Sequence, residues 1–147
     1  MTGDLTMHNG DYFLIPMEDG RSAIGQIIWL GSESKEQKFK KVFAFGVLSV
    51  GDGKVIPEGE KFLSFENYRG VFTVIFTAFD KLKSGEWKVI RSGTFADSSW
   101  GDFEFNMAGT LYRRGQVVRI LDIDEYQNHL LMSVSGFALV ERYLQQY

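Results

Sequence analysis

Two histidines, His8 and His129, are the only imidazoles in the chain, and there is no cysteine. Without cysteine there can be no disulfide, thiolate metal site or Cys nucleophile. A serine nucleophile needs a base beside it and a third group to orient that base. Only His129 lies in sequence that reads as folded, and no G-x-S-x-G elbow presents a serine to it. His129 therefore reads as a surface or capping imidazole. Zinc sites commonly draw on three or four His, Cys or carboxylate ligands, and no such cluster is spaced along this chain.

Carboxylates offer more. Asp122, Asp124 and Glu125 form Asp-x-Asp-Glu, which could ligate a hard cation or supply an acid and a base. The segment lacks a full twelve-residue calcium loop, and Ile123 alternates as a strand residue should, so a solvated strand end is the expectation. Paired carboxylates are also the apparatus of sugar hydrolysis, which keeps a glycan-cleaving enzyme as an alternative. The glycines form no phosphate cradle. Gly51-x-Gly53 runs into Lys54-Val55-Ile56-Pro57 and cannot open a helix. Trp29 and Trp87 sit in β-periodic runs and read as core. Trp100, among Ser98, Ser99, Gly101 and Asp102, either anchors a partner or folds back on the domain.

The elements that must carry these groups are mostly strands. Tyr12–Ile15 and Ser22–Leu30 flank the turn Glu18-Asp19-Gly20-Arg21, a hairpin signal because Gly adopts positive φ without strain. Gly25 has no side chain to pack and marks a bend or a close backbone approach. On alternation, Ala23, Gly25, Ile27 and Trp29 share one face, with Ile24, Ile28 and Leu30 on the other. Gly31–Lys40 reads as a loop. Lys41–Val50 is apolar on both faces and reads as a central strand. Val55–Phe65 is irregular, Gly70–Phe76 a strand, Thr77–Lys83 a short helix or a continuation of it, and Glu86–Ile90 a strand. Gly93–Gly101 is a loop, with strands at Phe103–Met107 and Gln116–Ile123. From Phe137 the apolar residues Val140, Tyr143, Leu144 and Tyr147 recur at helical spacing. The fold class is α+β, mainly β. It is a strongly bent antiparallel sheet or small barrel of six to eight strands, with a C-terminal helix and room for one more short helix.

Composition sets the frame. A hydrophobic fraction of 44%, with 13 Phe, excludes an intrinsically disordered chain. Residues 1–9 read as a flexible leader and 10–147 as one domain. The start has no basic and apolar pattern of a secretory signal, and Val42–Val50 is too short to span a bilayer, so a cytoplasmic protein away from membranes is expected. The formal net charge is −3. Lys35, Lys38, Lys40 and Lys41 are interleaved with Glu33 and Glu36, which is not the basic footprint that phosphate neutralisation requires. Nucleic acid is not an expected partner, and no cofactor is implied.

Three segments resemble the immunity protein 26 family. Gly10-Asp11-Tyr12-Phe13-Leu14-Ile15-Pro16-Met17-Glu18-Asp19-Gly20-Arg21, followed by Gly25-Gln26-Ile27, is similar to that family's opening hairpin. Leu82–Ile90, with Gly85, Trp87, Val89 and Ile90, resembles a second element, although Arg91 stands where the family often has Gly. Gly136–Leu144, with Val140-Glu141, resembles its closing helix. The resemblance spans Gly10 to Leu144. It implies an immunity protein of bacterial polymorphic toxin and contact-dependent inhibition systems, binding a cognate toxin domain in the producing cell, with no catalytic residues. An acidic chain suits a basic toxin such as a nuclease, because complementary charge steers association. The candidate toxin contacts are Glu18, Asp19, Asp97, Trp100, Asp102, Asp122, Asp124 and Glu125. The alternative is a generic β module for a peptide, subunit or oligosaccharide.

Overall fold

The computed structural model describes residues 7–58, 61–95 and 98–147. Its centre is the expected hairpin. Strands β1 (Tyr12–Pro16) and β2 (Ser22–Leu30) pair antiparallel from Tyr12–Gln26 to Pro16–Ser22, and Gly20 turns the chain at φ +90°. β3 (Val42–Gly51) runs along the other side of β2. The strand expected at Gly70–Phe76 is two strands in different sheets. β5 (Gly70–Phe72) pairs only with β4 (Phe65–Asn67), while β6 (Ile75–Ala78) pairs with β3. α1 (Asp80–Ser84) follows at once and ends on Gly85 in the left-handed conformation, which only glycine adopts without penalty. β7 (Val89–Arg91) then joins β1.

β8 (Glu104–Met107), β9 (Thr110–Arg113) and β10 (Gln116–Ile120) form a separate antiparallel sheet. β9 went unread in the sequence because Tyr112-Arg113-Arg114 breaks a four-residue pattern too short to show a period. The two-residue β11 (Val134–Ser135) adds parallel to β6, and α2 (Phe137–Leu144) ends the chain. The main sheet thus has six strands in the order β11-β6-β3-β2-β1-β7, with β11 and β7 as its outer strands among the described residues. It is an open bent sheet and not a barrel, mainly antiparallel, with β3 central as expected.

Two cores lie on its two faces. Phe13, Ile15, Ile27, Phe43 and Phe45 pack with Trp87, Leu82 and the α2 residues Val140 and Leu144. Ile24, Ile28, Trp29, Ala44 and Phe76 pack with Phe103, Phe105 and Tyr112 of the second sheet. Trp29 and Trp87 are both core, as their periodicity indicates. The faces of β2, however, cross over. A bulge between Ile27 and Trp29 leaves Ile28 unpaired, so Trp29 joins Ile24 and Leu30 joins Ile27. An extra residue inverts every later side chain. Gly31–Lys40 is not a plain loop either. It forms two 3-10 turns that drive Phe39 into the second core, edge-on to Trp29 at 5.5 Å. Residues 1–6 of the expected leader lie outside the described residues. Met7 packs against the first core, and the Asn9 amide donates to Glu33 at 2.6 Å.

Candidate functional site

The residues singled out in the sequence do not converge. Asp19, at the β1–β2 tip, accepts bonds from the Arg21 backbone N–H (3.0 Å), Nε (3.0 Å) and Nη2 (2.8 Å). Those side-chain bonds first, then the backbone bond, hold its carboxyl below the usual range. Arg21 Nη1 donates onward to the Tyr147 carbonyl at 2.9 Å, fastening the tip to the C-terminal end. Glu18 is exposed beside a groove shared with Lys81, Trp87 and Phe137. Asp97 lies outside the described residues. Asp102 is exposed at the end of a 3-10 turn, Ser98–Asp102. Trp100, on the same turn, lies half-buried against Phe62 (5.4 Å), Phe95 (6.1 Å) and Phe103 (6.4 Å). These ring contacts hold it to the domain, and it remains partly exposed.

Asp-x-Asp-Glu is the start of a 3-10 turn, Ile123–Asn128, and not a strand end. The Glu125 carboxylate accepts the Asp122 N–H at 3.1 Å, the return half of a capping box. Arg119 Nη1 (3.1 Å) and Nη2 (2.5 Å) grip its two oxygens. This guanidinium is the main reason the Glu125 pKa falls to about 2. The Asp-x-x-Glu spacing was the available signal. Among the described residues no three His, Asp or Glu side chains gather so as to hold a metal ion. His8 Nδ1 is 3.9 Å from Asp11, whose carboxylate accepts the His8 backbone N–H.

A concavity of about 460 Å³ is one the sequence did not suggest. One wall is the β4–β5 hairpin. Its base is fixed by aromatic packing, with Phe72 4.9 Å from Tyr143 and Phe65 5.5 Å from Tyr147. The Gln146 side chain adds what amounts to a further strand partner, accepting the Glu66 N–H at 3.0 Å and donating to the Glu66 carbonyl at 2.9 Å. The tip is turned by Asn67, whose Oδ1 accepts the Arg69 N–H at 2.8 Å. It holds Tyr68 88% and Val71 69% exposed. The facing wall is Gln127–Leu131 and the sheet edge β11, with Leu131 42% and Val134 52% exposed. Phe76 and Ile75 line the floor, and His129 reaches the rim. No carboxylate lines the groove. It can take up apolar and aromatic surface, with Arg69 and His129 as its basic lining groups. None of the seven candidate contacts among the described residues lines it.

The three segments that carry the family resemblance do meet, inside the first core. Phe13 of the opening hairpin stacks on Trp87 at 6.0 Å, and Trp87 meets Phe137 of the closing helix edge-on at 5.4 Å. They form scaffold, and of the three only the closing helix reaches the groove, through Leu139 and Tyr143. No helix among the described residues is long and apolar enough to cross a membrane. No family model, curated protein or solved structure matches the chain.

Proposed function

We propose that this chain is an immunity-type protein that binds a cognate bacterial toxin domain in the cytoplasm of the producing cell and neutralises it by protein contact. The observation that carries the reading is the apolar rim of the groove, Tyr68, Val71, Leu131 and Val134, held in solvent by a well-braced hairpin. Exposed apolar side chains gathered about one groove and rimmed by polar residues mark interaction sites, and a Tyr on a rigid support gives contact area at little entropic cost. The resemblance of the hairpin, the Trp87 element and α2 to immunity protein 26 supplies the partner class.

The test is a search of the neighbouring genes for a toxin domain and co-expression of this chain with it. The wild-type chain restores growth and co-purifies with the toxin. Tyr68→Ala and Val134→Lys keep the fold, within about 0.5 kcal/mol for exposed positions, yet weaken toxin binding about tenfold or more. A neighbourhood without a toxin, together with no rescue, removes the reading. A second reading, a module for an apolar peptide, draws on the absence of carboxylates from the groove lining. A Tyr68-dependent housekeeping partner would favour it.

A further inference from the structure

The second sheet treats its two edges differently. The outer side of β8 is taken by Leu130–Met132, with the Asn106 N–H donating to the Leu130 carbonyl at 2.7 Å and the Met132 N–H to the Asn106 carbonyl at 2.9 Å. Among the described residues, the outer side of β10 is joined to no strand. All five of its residues are exposed, Ile120 at 80% and Val117 at 59%, and Ile123 just beyond stands 82% exposed. Proteins usually blunt such an edge with charge, proline or a covering segment. Here the edge is Gln-Val-Val-Arg-Ile, and the charge of Arg119 is already held by Glu125 of the same chain.

We propose that β10 is a self-association edge, at which two copies of the chain join antiparallel about a two-fold axis and fuse their three-stranded sheets into one of six strands. A two-fold interface must be complementary to itself, and the charge order along this edge meets that condition. Arg113 and Arg114 precede the strand, while Asp122 and Asp124 follow it. Antiparallel pairing centred near Val118 sets the cationic end of each copy beside the anionic end of the other. A foreign cationic strand would satisfy the aspartates but confront the arginines, and an anionic one the reverse. Arg113 and Arg114 are held meanwhile by Glu104 (2.6 Å) and Glu33 (3.3 Å). These are surface pairs worth little and easily shared. The bulge between Val117 and Arg119 twists the edge and keeps the pairing short, so the association belongs with the small, weak interfaces. The edge shares no residue with the groove, and the inference is independent of the toxin reading.

Sedimentation equilibrium on the full chain, from about 10 μM to 1 mM to bracket a small interface, provides the test. The mass rises from 16.8 kDa towards twice that value, and the Gln116–Ile120 amides exchange more slowly as concentration rises. Ile120→Lys and Val118→Lys, each with an unchanged circular dichroism spectrum and melting temperature, raise the dissociation constant about tenfold or more. Asp124→Arg does the same by a different route, and adding Arg113→Asp to it restores association. A single-chain mass over the whole range overturns the proposal. So does a dimer unaffected by all three single changes, or edge amides protected only when a different protein is added.

Discussion

Gly25→Ala separates a steric account of the central hairpin from a purely conformational one. A Cβ built on Gly25 lies 2.6 and 2.8 Å from the Phe13 ring, closer than carbon atoms approach, and the φ of Gly25 is not in the left-handed region. The cost is therefore one of space. Phe13 is fully buried and cannot swing away, because Phe43 (5.8 Å), Phe45 (5.3 Å) and Trp87 (6.0 Å) surround its ring. Overpacking of this kind costs about 1–3 kcal/mol, and the lost chain entropy of a Gly→Ala change returns about 0.4–1 kcal/mol. The net loss is about 1–2 kcal/mol, a fall in melting temperature of about 2–8 °C for a chain of this size. Phe13→Leu removes the ring atoms in question. In that background Gly25→Ala costs close to nothing, giving a coupling of about 1–2 kcal/mol in a double-mutant cycle. Urea denaturation of the four proteins measures it. A Gly25→Ala protein as stable as the wild type, or costs that simply add, would refute the reasoning.

Gly31→Ala is the harsher change, since its Cβ would lie 1.9 Å from the Phe39 carbonyl oxygen and 2.5 Å from that of Val42, both backbone atoms. It lowers stability by about 3 kcal/mol or more, at the upper end of overpacking costs, and urea denaturation against Gly25→Ala ranks the two. In an NMR titration the expected result is a Glu125 carboxyl near 2 that returns towards its ordinary 4.5 in Arg119→Gln. Because the folded value is the lower one, the contribution of this ion pair is present above pH 4.5 and fades as the pH falls from 4.5 towards 2. A wild-type midpoint near 4.5 would show the pair is not formed in solution. Calcium and a chelator both leave the melting temperature unchanged, since Arg119 occupies both Glu125 oxygens. A calcium-dependent rise would reinstate Asp122, Asp124 and Glu125 as cation ligands.

Much of the fold was legible from local pattern. Asp19-Gly20 between two apolar runs defines the hairpin, the double-faced apolar run from Val42 defines the central strand, and the spacing from Phe137 defines α2. Gly25 announced its close approach by being the one residue of its run without a side chain. These features depend on neighbours a few residues away, where sterics and periodicity act directly. The crossing of Trp29 and Leu30 does not, because a bulge is decided by which residue of β3 each pairs with. Nor could the sequence reveal that Gly70–Phe72 and Ile75–Ala78 serve different sheets. The grip of Arg119 on Glu125 also depends on where β10 ends and the chain turns. The candidate surfaces escaped for the same reason. Ile120 belongs to an apolar run that ordinarily means core and Tyr68 to a short polar turn, and only the placement of the other described segments leaves both exposed.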